Sequence, residues 1–123
     1  MKIRELRIGN YIQDKDGNID EVRALAAVRG LPEKINDIPH EGYFQPILLT
    51  EEWLIKFGFV KNPDTSYDIV RYDIDEFQTV KLYSGGGASV AEEGMDAAEV
   101  DYVHQLQNYH FLVIGKDLTV ELT

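Results

Sequence analysis

A chain of 123 residues, 44% hydrophobic with seven Tyr, five Phe and one Trp, can bury the core of one domain and is too apolar for wholesale disorder. It holds no cysteine, which excludes disulfides, thiolate nucleophiles and cysteine-based metal sites. The formal net charge is −10, and residues 35–123 carry five Lys or Arg against sixteen Asp or Glu, so backbone binding of nucleic acid and attraction to anionic membranes are disfavoured.

The opening, MKIRELRIGN, is charged and lacks the apolar segment of a signal peptide. No run of about 18 apolar residues offers a membrane span, and a cytoplasmic protein is expected. Gly9-Asn10 permits a turn before a first strand at Tyr11-Ile12. Asp14-Lys15-Asp16-Gly17 is hairpin chemistry, and Asn18 onward supplies the return strand. The same stretch approaches the spacing of a calcium loop, but its first ligand would be Ile12 and its bidentate acid Arg23, so a turn is expected. A Gly-Asn strand followed by this hairpin resembles the opening of small SH3-like barrels. Residues 30–46, punctuated by Gly and Pro, read as a connector too short to separate two domains.

PILLTEEWLIKFGF is the best-specified local structure. Thr50 is placed as N-cap, Glu51 and Glu52 suit the positive end of the helix dipole, and Leu49 and Leu54 form a hydrophobic staple. Gly58 is the expected left-handed stop, with Phe59 folding back on Leu54. So short a helix must dock Trp53, Leu54 and Phe57 on a sheet or a larger helix. Residues 67–83 read as two strands broken near residues 73–76. Ser84-Gly85-Gly86-Gly87 lacks the Lys-Ser/Thr of a phosphate loop and reads as a hairpin loop, with pairing resuming at Ala88. Ala91 to Glu99 is expected as an acidic loop or an early helical turn.

Tyr102 to Gly115, YVHQLQNYHFLVIG, has no Lys, Arg, Asp or Glu where about four are expected from composition. Steps of about 100° place Tyr102, Val103, Leu106, Tyr109, His110 and Val113 on one face and Asp101, His104, Gln105, Gln107 and Asn108 opposite. Phe111, Leu112 and Ile114 complete an apolar last turn, so a helix wholly buried at its end is expected, stopped at Gly115. Leu118, Val120 and Leu122 alternate in a final strand.

The expected fold is therefore a single α+β domain over 1–123: an antiparallel sheet, SH3-like in its N-terminal part, on one short and one longer helix. The three histidines do not form a metal set, because His104 and His110 face apart and His40 lies in the connector. No cofactor motif is present. Asp101, one turn before His104, has the spacing of a carboxylate that orients an imidazole, but no nucleophile accompanies the pair. Gln105, Gln107 and Asn108 either satisfy buried backbone groups or read a ligand. Asp101, His104, Gln105, Gln107 and Asn108 are thus the candidate binding surface.

Three blocks, LRIGNYI, PILLTEEWLIKFGF and VDYVHQLQNYHFLVIGKDL, resemble those of a family of small uncharacterised proteins of Bacteroidetes genomes and their phages. The likeness spans the chain and is most specific over Tyr102–Asn108. It implies a phage or mobile-element setting and no particular activity. The leading expectation is a non-enzymatic accessory protein that binds a protein or small ligand. Alternatives are a sponge for a nucleotide signal and a hydrolase using Asp101 and His104.

Overall fold

The computed structural model describes residues 6–14, 16–22, 34–35, 38–39, 44–63, 66, 68–74, 78–92 and 95–120. Three short strands, β1 (Tyr11–Asp14), β2 (Ile19–Glu21) and β5 (Phe44–Gln45), pair in the order β2-β1-β5, and β3 (Lys34–Ile35) pairs with β4 (Ile38–Pro39). Asp14 closes the β1–β2 turn: its carboxylate accepts the backbone N–H groups of Asp16 and Asn18, each at 2.9 Å. The hydrogen bonds from Asn18 lead in holding its carboxyl below the ordinary carboxylate range. The continuation of the return strand beyond Val22 lies outside the described residues.

A second antiparallel sheet runs β10-β9-β8-β7-β6, built from β6 (Val60–Lys61), β7 (Ile69–Asp73), β8 (Gln78–Tyr83), β9 (Ala88–Glu92) and β10 (Met95–Glu99). Tyr72, Val80 and Val90 stand in register across three strands and are at most 1% exposed. They form the inner face. On the outer face β9 carries Ser89 and Ala91, small enough for its neighbours to close over them. Tyr83 and Ser89 share a hydroxyl hydrogen bond at 2.8 Å, and Lys81 reaches across β9 to Asp96 at 2.9 Å. The span 91–99 is thus mostly strand and not the expected loop or helical turn. Its Ala and acidic residues are weak strand formers, and they are tolerated because β10 is an exposed edge where charge is soluble and a bulge at Asp96/Ala98 relaxes the register.

Both helices cover the inner face. Helix α1 (Glu51–Lys56) buries Trp53 and Leu54 and ends as expected: Phe59 N–H donates to the Leu54 carbonyl, Gly58 N–H to that of Ile55, both at 3.0 Å, with Gly58 at φ +98°. Thr50 occupies the cap position with its backbone extended, but its hydroxyl makes no capping hydrogen bond. Tyr11 from the first sheet receives the helix, its ring 5.5 Å from Trp53 and 6.2 Å from Phe57. One core therefore joins both sheets and both helices, an α+β single-domain fold.

Helix α2 (Val103–Ile114) ends at Gly115, which is left-handed at φ +82°. Its buried stripe is Val103, His104, Leu106, Gln107 and His110, rotated toward the polar side of the expected helix. The last turn departs from expectation: Phe111, Leu112 and Val113 are 40%, 82% and 45% exposed. No described element overlies that end, so apolar composition there does not become burial. Residues 116–120 form no strand. Leu118 is buried and Val120 packs on the core, as alternation required, but side chains satisfy this segment's backbone in place of a ladder. Tyr11 Oη donates to the Val120 carbonyl at 3.0 Å and accepts its N–H at 2.8 Å. No helix among the described residues is long and apolar enough to cross a membrane.

Candidate functional site

Helix α2 presents two flanks with different chemistry, and Asn108 contributes to both. One flank faces the opening loop. Gly9, at φ +98°, turns its carbonyl toward the helix, where Gln107 Nε2 donates to it at 2.9 Å and to the Leu118 carbonyl at 3.0 Å. Gln107 Oε1 accepts the Tyr11 N–H at 2.9 Å. Asn10, fully buried, accepts the Arg7 N–H at 2.6 Å and donates to Asn108 Oδ1 at 2.8 Å. The Arg7 guanidinium donates to Asn108 and to Asp117, and lies 4.1 Å from the centre of the Phe111 ring. LRIGNY and HQLQN are therefore two halves of one hydrogen-bonded lock. Gln107, 1% exposed, spends its amide on the chain itself.

The other flank forms a groove against the end of β10. Its volume is ≈ 410 Å³, and it is lined by Ala98, Glu99 and Val100 from the sheet side and by His104, Gln105, Asn108, Tyr109 and Leu112 from α2. Gln105 also caps the helix, its Oε1 accepting the Tyr102 N–H at 3.1 Å. His104 is 1% exposed, and its ring lies 6.1 Å from that of Tyr102 with a 13° angle between planes. The Tyr109 phenol is pushed up by burial, and further by its hydrogen bond to Glu92 and that carboxylate's charge. Leu112, at 82% exposure, is the open apolar face of the groove.

Comparison with protein-family models, with curated proteins and with solved structures finds no match.

Of the five candidates, His104, Gln105 and Asn108 line the groove, whereas Asp101 and Gln107 point elsewhere. Asp101 Oδ1 accepts the Ala88 N–H at 3.0 Å and so fastens the β8–β9 hairpin to the start of α2. That contact explains Gly87: a Cβ there would lie 3.3 Å from Asp101 Oδ1, on a backbone at φ +90°. The glycine loop itself is not part of the groove lining. His110, assigned to the core, is buried and its Nδ1 lies 2.6 Å from Gln78 Oε1.

Sequence reasoning missed Ala98, Glu99, Val100, Tyr109 and Leu112. The helical stripe 104-108-112 was present in the spacing, but Leu112 counted as core, and the partner wall was not foreseen as a strand. The one charged lining residue is Glu99, so the groove repels phosphate and favours apolar or cationic groups. Among the described residues no group of three or more His, Asp or Glu converges as a metal ligand set.

Proposed function

We propose that this chain is a non-enzymatic binding module that takes a segment of a partner protein in the groove between α2 and β10, in the cytoplasm and in the phage or mobile-element setting the sequence resemblance implies. The observation that carries this reading is Leu112: a leucine 82% exposed at the lip of a concave, largely apolar surface with one carboxylate. A hydrolase built on Asp101 and His104 is disfavoured because Asp101 does not line the groove and no serine or threonine nucleophile is among its lining residues. The nucleotide-signal alternative finds two cations together on the outer face of the sheet, in a depression of ≈ 150 Å³ lined by Asn62, Arg71, Thr79, Lys81 and Ala91. There Lys81 is held by Asp96 and Thr79 donates to Asp73. The space is also below the ~300 Å³ at which ligand pockets begin.

The test is selection from a random peptide library on the wild-type chain, with counter-selection on Leu112→Ser. This variant changes an exposed side chain and leaves the fold intact. Enriched peptides that bind the wild type and lose at least about tenfold on Leu112→Ser support the reading. Failure to enrich any peptide that distinguishes the two chains overturns it.

A further inference from the structure

We infer that the partner segment enters the groove as an extended strand added to the free edge of β10, and that it is a cationic segment with alternate apolar side chains. The inference rests on the binding-module reading and specifies its mode. Among the described residues β10 pairs on one side alone, with β9. Val100 donates its N–H inward to the Ala88 carbonyl at 2.9 Å, so by the alternation of a strand the backbone groups of Glu99 point outward.

The chain itself starts a pairing along this line. Just beyond β10 the same edge carries an antiparallel bridge between Leu48 and Tyr102. Leu49 N–H donates to the Asp101 carbonyl at 2.9 Å and Val103 N–H to that of Ile47 at 2.8 Å. Continued in that register, Glu51 would stand opposite Glu99, but Glu51 begins α1 and the chain leaves the edge. The slot beside β10 is thus started by residues 47–49, and among the described residues no strand continues it where the groove begins.

An added strand there would lie between the β10 edge and α2. Every second side chain would turn toward His104, Asn108 and Leu112, and the others toward solvent and the outer face. Glu99 is exposed on that edge, whereas Asp96 is held by Lys81 on the other side. The Glu99 carboxylate and the acidic net charge disfavour a second copy of this chain and attract lysine or arginine on the incoming strand. Exposed Leu112 selects the apolar positions.

The probe is a blocked peptide alternating lysine and valine, titrated into the full-length, isotope-labelled chain. The expected result is amide shifts over residues 97–100 together with residues 104–112. Backbone N-methylation of every second peptide residue should weaken binding about tenfold or more in one phase and leave it within about twofold in the other, because hydrogen bonds face β10 at alternate positions. Glu99→Pro removes an outward N–H that pairing with β9 does not use, and should weaken binding about tenfold beyond Glu99→Gln, which removes the same charge and keeps the N–H, with the spectrum of the free chain preserved. Equal sensitivity to both methylation phases, or binding to Glu99→Pro as tight as to Glu99→Gln, overturns strand addition while leaving groove binding standing. Shifts absent from the groove, with the Lys-Val peptide and with every library-selected peptide, overturn both.

Discussion

Replacing Gln107 tests the lock that joins the opening loop to α2. Its amide serves the Tyr11 N–H and the carbonyls of Gly9 and Leu118 at 2.9 to 3.0 Å, in a site where Gln107 is 1% exposed. Gln107→Ala leaves these three groups without that partner. A buried group so stranded costs about 1–3 kcal/mol. Tyr11, 2% exposed, has one N–H to satisfy and meets the full cost, whereas each carbonyl retains a second lone pair and costs nearer 1. The expected loss is ~3–5 kcal/mol, a large share of the roughly 5–15 kcal/mol typical of a domain. In urea, with a slope of about 2 kcal/mol/M, the midpoint should fall by about 2 M. Gln107→Glu sharpens the test. One carboxyl oxygen can still accept from Tyr11, but the other faces two carbonyl oxygens and must carry a proton. Its folded pKa is then raised above the ~4.3 of a free glutamate, so the contact is intact below that pH and is lost as pH rises through the folded value. Gln107→Glu should be more stable, relative to wild type, near pH 4 than near pH 7. A Gln107→Ala loss under about 0.5 kcal/mol, or no pH slope for Gln107→Glu, would refute the reasoning.

Leu106 is fully buried in the shared core, and Leu106→Ala should cost roughly 2–5 kcal/mol by denaturation; a loss below about 1 would place it outside the core. Gly58→Ala meets no atom within 4 Å but must hold φ +98°, so a cost of about 1 kcal/mol or more is expected from backbone strain alone, and an unchanged midpoint would contradict the helix stop. The Tyr72 phenol is pushed up to about 12 by burial first and then by Glu51, so the fold favours its neutral form. Stability from this group is complete below its free value of about 10 and is lost as pH climbs toward 12, and Tyr72→Phe should flatten that alkaline decline in a series of urea midpoints.

Local rules made much of the fold readable. The α1 segment ends where the Gly58-Phe59 pair said, because a Schellman ending is a contact between near neighbours. The β7–β8 break and the Gly115 stop are local in the same way. Burial at the end of α2 was not readable: Phe111 to Val113 are apolar, and only the extent of the neighbouring elements decides whether apolar residues are covered. The strand at 95–99 escaped because its acidic, alanine-rich composition suits an edge and no ladder can be seen from one strand. In the candidate site, polar type drew attention to His104, Gln105 and Asn108, and the structure places these three along the groove. It could not show that Gln107, and with it the Asn108 amide oxygen, is taken up by the opening loop across nearly the length of the chain.

That separation has a consequence for biogenesis. Tyr11 and Gln107 are 96 residues apart, and Asn10 and Asn108 are 98 apart. During synthesis, at about 5–20 residues per second, the first hairpin exists for several seconds before α2 is made. Over that interval the Tyr11 N–H and Asn10 lack Gln107 and Asn108 as partners, and closing so long a loop makes the docking step slow by topology. The β7–β10 meander, whose pairings are local, is complete before α2 and can template it. The opening loop then closes last, so a nascent chain held short of residue 107 should keep its first strand accessible to proteases and chaperones.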